Sequence, residues 1–258
     1  MIFNDVNNIL NKSFNTIIIG SGPAGITVAK KLEKKKISSL IIEAGPMESS
    51  SVSQEEYEGQ VVGDDYIDIS ASRLRQFGGT VNHWGGVCHP LEEHDFNKWP
   101  IKKKDLDSYT DETMQILNLS GNFNVTKFNS SFNIISTKQS NVNFGKKYYN
   151  EFKISKYIDI ISNCSLENLN FENNQISSVD IFKEKKKYNL KSKYYVLACG
   201  ALENSRILLW NNYKHKVFDP NMPIGKYYHD HPTHDVAEGV LDLDKTYAKM
   251  IDSNSSLS

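Results

Sequence analysis

Three glycines, Gly20, Gly22 and Gly25, followed by an acid at Glu43, are the residues whose types and spacing most plainly specify chemistry. A diphosphate needs a turn tight enough to bring backbone N–H groups against it, and a helix N-terminus aimed at its charge. Gly20 permits the turn, Gly22 the approach of the backbone, and Gly25 the close packing of helix on strand. Pro23 and Ala24 lie between them in the same turn. Glu43, at a strand end with Ala44 after it, is placed to accept the hydroxyls of an adenosine ribose, which disfavours a 2′-phosphate and hence NADP. This set alone does not separate FAD from NAD. Its bland alternative is a glycine turn with no ligand.

Such a site has to be carried by a strand, a turn, a helix and a second strand, and the sequence supplies them in that order. Residues 15–19 are a short β-branched run, 26–35 repeat apolar residues at helical spacing (Ile26, Ala29, Leu32), and 39–43 form a second buried run closed by Gly45-Pro46. Residues 47–70 are polar and acidic, an excursion to which no chemistry is assigned. A glycine-rich loop spans 77–86, and a helix is expected over about 104–117. Residues 121–150 are rich in Asn and Ser and show no periodicity. Strands are expected over 158–161, 165–171, 176–182 and 188–190, with Asn173-Asn174 as a hairpin turn and a β-meander as their shape. A buried strand over 194–198, a helical pattern over 200–210 and a strand beginning near 234 follow.

Three later segments give the dinucleotide motif a setting. The run from Arg73 to Gly86 (RLRQFGGTVNHWGG), the run from Val196 to Leu209 (VLACGALENSRILL) and the run from Ile224 to Pro232 (IGKYYHDHP) together resemble the glucose/methanol/choline (GMC) family of FAD-dependent oxidoreductases. The resemblance covers roughly residues 14–240 and leaves 121–150 unmatched. It implies an α/β, Rossmann-like FAD-binding domain over 1–232, with inserted segments at about 47–70 and 100–156, a β-meander, and an incomplete substrate-binding domain starting at 233–258. It also implies FAD rather than NAD, and oxidation of a CH–OH group of an alcohol or sugar-like substrate by hydride transfer to the flavin. Gly78, Gly79, Thr80 and Asn82 are then the residues expected to hold the flavin, with Gly200 ending a strand near it. His83 stands at the offset where some relatives attach FAD covalently; a hydrogen-bonded histidine beside noncovalent FAD is the alternative. Arg75, like Arg73, would either face the pyrophosphate or pair with acids of the excursion.

The same resemblance exposes a departure. In the family a C-terminal histidine takes the hydroxyl proton, paired with a second His or Asn, and no matching segment occurs here, so no catalytic residue is assigned. The chain is therefore expected to be truncated. Two further readings stay open: a noncatalytic flavin-binding remnant, or one half of a split enzyme completed by a second chain. His229, Asp230, His231 and His234 resemble a metal-ligand pattern, but no separate third-ligand group is evident, and no metal is expected.

Composition narrows the class without naming it. With 258 residues the chain can bury a full core, and a net charge of −1 gives no field towards nucleic acid or an anionic membrane. Its three cysteines form no CxxC pair, the first fourteen residues are too polar for a signal peptide, and no stretch approaches the ~20 apolar residues of a membrane span. A cytoplasmic location is the expectation.

Overall fold

A computed structural model describes residues 1–63, 66–127, 129–130 and 133–230. The strand expected to begin near 234, His231 and His234 lie outside these. The chain divides into two compact units, Met1–Gly86 with Val142–Lys226, and Val87–Asn141 with Tyr227–Ser258.

The first unit contains eight strands: β1 (Ile2–Phe3), β2 (Thr16–Ile19), β3 (Ser39–Ile42), β4 (Ile158–Ile161), β5 (Ser165–Glu172), β6 (Gln175–Lys183), β7 (Lys186–Leu190) and β8 (Tyr194–Leu197). Five of them form a parallel sheet in the order β1-β4-β3-β2-β8. β2, β3 and β4 are buried at every residue, as strands covered on both faces must be. That is why they read as continuous apolar runs. The other three strands make an antiparallel meander, β7-β6-β5. Asn173 and Asn174 close its first hairpin with positive φ of 50° and 59°, and Glu184 and Lys185 close the second in the same conformation.

The three longer helices of the unit are α1 (Pro23–Lys34), α2 (Phe144–Ile154) and α3 (Gly200–His215). Side chains alternate across the parallel sheet. Ile17, Ile19, Leu40, Ile42 and Ile161 point to one face, where they share a core with Leu169, Val179, Ile181 and Leu190 of the meander. Ile18, Ile41 and Ile160 are buried on the opposite face, which α1 and α2 cover. Asn211 of α3 is buried and ties the helix to the meander, its Oδ1 accepting from Leu169 N at 2.9 Å and its Nδ2 donating to Ile207 O at 2.8 Å. The sheet thus lies between α1 and α2 on one face and the meander, with α3 packed on it, on the other.

Four local expectations need correction. Ile158–Ile161 is a strand, but of the parallel sheet and not of the meander. Ile2–Phe3 joins the same sheet, where no element was expected. The stretch without periodicity runs into α2, whose Phe144, Tyr148 and Phe152 are buried one turn apart. The single helix expected over 104–117 is two, Lys104–Asp107 and Thr110–Ile116. Between them Tyr109 N donates to Leu106 O, three residues back, and the Thr113 hydroxyl takes the Tyr109 carbonyl.

The second unit, by itself, holds those two helices and two short antiparallel pairs, Val87–Cys88 with Lys138–Gln139 and Val125–Lys127 with Asn133–Ile135.

Candidate dinucleotide site

The sheet order fixes where a ligand can lie. From β2 the chain passes through α1 to β3 on one side, and β8 later takes the other side of β2. β2 is therefore a switch point, outside whose carboxyl end open α/β sheets bind their ligands. Gly20 follows β2 at φ +98°, its N–H donating to Ile42 O at 2.8 Å. A Cβ there would lie 2.5 Å from the Ala198 carbonyl oxygen at the end of β8. A Cβ on Gly25 would lie 2.1 Å from Gly20 O. Packing alone therefore requires both glycines.

Gly22 differs. A Cβ there would meet nothing nearer than Ala198 O at 4.0 Å, so the protein leaves room on that side which it does not fill. Gly22 is the N-cap of α1, with Pro23 at the helix start and no side-chain cap. Pro23 and Ala24 are exposed. The first-turn N–H groups of Ala24 and Gly25 have no intrahelical acceptor by the geometry of a helix end, so positive potential points outward at this spot.

Glu43 is buried and already engaged. Its Oε2 accepts from Ser21 N at 2.9 Å and from the Ser21 hydroxyl at 2.6 Å, and its Oε1 accepts from Gly45 N at 2.8 Å. A carboxylate offers about four acceptor positions, so three internal donors leave one for a hydroxyl outside. Ser21 is the residue that the sequence reading passed over: it joins the glycine turn to the acid. Ala44 separates that acid from Gly45, whose Cβ would fall 2.1 Å from Arg75 O.

The second glycine loop lies against the first. Gly78 N donates to Ser21 O at 3.1 Å, and a Cβ on Gly79 would come 2.9 Å from Gly22 Cα. Both glycines have positive φ, 93° and 63°. Asn82, expected at the flavin, spends its amide on the loop itself: Nδ2 donates to Phe77 O at 2.7 Å and Oδ1 accepts from Gly145 N at 2.9 Å. Asn143, the N-cap of α2, donates to Asn82 O at 3.2 Å. Asn143 and Gly145 thus position the loop, and neither belongs to the expected set. The signal for them was present as an Asn before the spaced aromatics of α2. Thr80 is exposed, its Oγ1 accepting from Leu74 N, and His83 is exposed on the same loop with its backbone N–H on Thr80 O.

The arginines part company. Arg75 donates to the Ser53 and Ser165 hydroxyls at 2.8 and 3.1 Å and forms no ion pair among the described residues. Arg73 pairs with an acid, though not one on the excursion: its Nη1 lies 3.2 Å from Glu203 Oε1, in the first turn of α3. Its guanidinium also stacks 4.0 Å over the Tyr57 ring. Gly200 starts α3 at φ +80° with open space where a Cβ would be. Cys199 before it donates its thiol to Ile19 O at 3.2 Å. Burial, reinforced by the Glu43 charge, pushes that thiol up to about 12.

The five described histidines do not gather. His83 and His229 lie on exposed backbone, His89 and His94 belong to the second unit, and His215 packs its ring on Phe171 at 5.6 Å. Among the described residues no group of three or more His, Cys, Asp or Glu could hold a metal ion, and no helix is long and apolar enough to cross a membrane.

No protein-family model and no curated protein sequence matches the chain. Solved structures do. Pyridoxine 4-oxidase from Mesorbium loti superposes with a TM-score of 0.54 at 15% identity, covering 78% of this chain and 52% of that one. The myxobacterial chondrochloren halogenase CndH, described as a new variant of FAD-dependent halogenases, gives 0.38 at 14% identity over 74% of this chain and 38% of that one, too slight a likeness to argue from. The chain shares the fold of the oxidase and spans about half its length.

Proposed function

We propose that the first unit binds FAD and that the chain is the FAD-binding portion of a GMC-like oxidoreductase. Gly22 carries this reading: it is the one glycine of the turn whose missing side chain no described residue explains, and it caps an exposed helix N-terminus. Gly22, Ala24 and Gly25 would hold the diphosphate through backbone N–H groups, and Glu43 a ribose hydroxyl through its remaining acceptor position. Gly78, Gly79 and Thr80 line the same turn from the other side. The fold shared with an oxidase agrees with it.

Bound FAD would supply acceptance of a hydride from a CH–OH carbon of a small alcohol or sugar-like substrate. The chain's own residues bind and orient: Asn82, Asn143 and Gly145 hold the loop rigid, and Ser21 holds Glu43. The proton-accepting base is not assigned to any described histidine. Since the chain spans about half of the oxidase, oxidation belongs to the whole protein, whether a longer chain or a complex with a second one. His83 sits beside noncovalent FAD in this reading. Acid precipitation of the flavin-loaded protein should leave all colour in the supernatant; a yellow pellet that His83→Ala abolishes would assign a covalent bond to His83.

The test is direct. Folded, purified protein should show the flavin absorption bands or acquire them on titration with FAD; folded protein that holds none and takes up none ends the proposal. Alcohol turnover by this chain alone would rule out a noncatalytic remnant.

A further inference from the structure

The excursion over 47–70, to which the sequence assigned no chemistry, places one aromatic residue at the site. Tyr57 is half-buried and its ring is 4.0 Å from the Arg73 guanidinium. Arg73 is in turn 3.2 Å from Glu203. Glu203 stands in the first turn of α3, directly after Cys199, whose thiol is on Ile19 O, and Ala198, whose carbonyl abuts Gly20. Tyr57 is therefore one guanidinium away from Glu203, in the helical turn that follows the carboxyl end of β8.

Most of the polar groups around it are already matched. Arg73 and Arg206 both pair with Glu203, and Glu43 is held by Ser21 and Gly45. The Tyr57 hydroxyl is the exception: it makes no hydrogen bond among the described residues. A phenol brought into a partly desolvated site ordinarily finds a partner.

Resting on the FAD reading, we propose that Tyr57 is a binding residue for the ADP half of the dinucleotide, its hydroxyl donating to a diphosphate oxygen while Arg73 fixes the ring by stacking. A hydroxyl meeting a phosphate gives a short, charge-assisted bond, stronger than one between neutral groups. The group keeps its proton for this task throughout the neutral range, since burial, helped by the nearby Glu43 and Glu203 carboxylates and opposed by Arg73, pushes it up to about 12.

Tyr57→Phe tests this, because it keeps the ring and its stacking on Arg73 and removes only the oxygen. Dissociation constants for FAD and for ADP would be measured by titration calorimetry on wild type and variant, with urea melts of the ligand-free proteins as a check on folding. We expect both ligands to weaken roughly tenfold or more, and by the same factor, with the melts superimposing. Wild type that binds FAD together with a Phe variant that binds FAD and ADP equally well overturns the Tyr57 assignment and leaves the FAD reading standing. Weakened FAD with unchanged ADP also overturns it, by moving the contact to the flavin half. Wild type that binds neither ligand removes the FAD reading and the Tyr57 contact with it.

Discussion

Gly22 and Gly25 share a motif but answer to different constraints, and substitution should separate them. At Gly25 a methyl group would drive into Gly20 O at 2.1 Å, so Gly25→Ala should lower the stability of the ligand-free protein by about 1–3 kcal/mol. At Gly22 the backbone has φ −68°, which alanine adopts freely, and the nearest atom is 4.0 Å off. Gly22→Ala should therefore shift the urea midpoint little while abolishing FAD uptake. Normal uptake by that variant would return the whole turn to a packing role. The three glycines and Glu43 were legible in the sequence because they fall in one strand–turn–helix–strand unit, where Gly20 and Gly25 are forced by backbone packing. The sequence did not reveal that Glu43 is shared with Ser21 and Gly45, since a carboxylate's partners follow from the fold and not from spacing.

Elements decide how firmly those residues are held. The loop from Phe77 to Asn82 hangs on α2 through Asn82, and Asn82→Ala would strand Phe77 O and Gly145 N. Each unmet buried group costs about 1–3 kcal/mol, so both stability and FAD affinity should fall; unchanged melts with weakened binding would instead put the Asn82 amide on the ligand. This device was hidden because α2 lies in an Asn- and Lys-rich stretch, where the spacing of Phe144, Tyr148 and Phe152 is diluted by polar neighbours. The meander was easier to read, since Asn173-Asn174 marks its hairpin locally. It also carries a charge with a pH signature. Burial would raise the Asp180 carboxyl, but hydrogen bonds from Asn189, Lys187 and Asn170, and the Lys187 charge, outweigh it and hold the group below the usual carboxylate range. A depressed folded value stabilises above the unfolded value of about 3.9 and is lost as pH falls through the folded one. Asp180→Asn should accordingly flatten the acid limb of the stability curve and leave its neutral slope alone. An acid limb as steep as that of wild type would place the linkage on other carboxylates.

At the scale of the molecule, β2 contacts β3 from nearby in sequence and β8 from far away, and β1 pairs with β4 across most of the chain. No periodicity encodes such partners, which explains why Ile158–Ile161 was recognisable as a strand and yet assigned to the wrong sheet. The division into units carries a consequence for ligand binding. Every proposed FAD contact, from Gly20 to Gly200, comes from the first unit. A ligand that binds only the folded state at about a hundred times its dissociation constant adds roughly 2.7 kcal/mol, worth about 5–10 °C in the melting temperature of a unit this large. Hydrogen exchange should show where that free energy goes: added protection is expected at 20–26, 43–45, 78–83 and 199–203, together with the strands β2 and β8 beneath them, and none in 87–141. Protection confined to 87–141, or spread evenly over both units, would mean that the flavin is held somewhere other than the turn around Gly22.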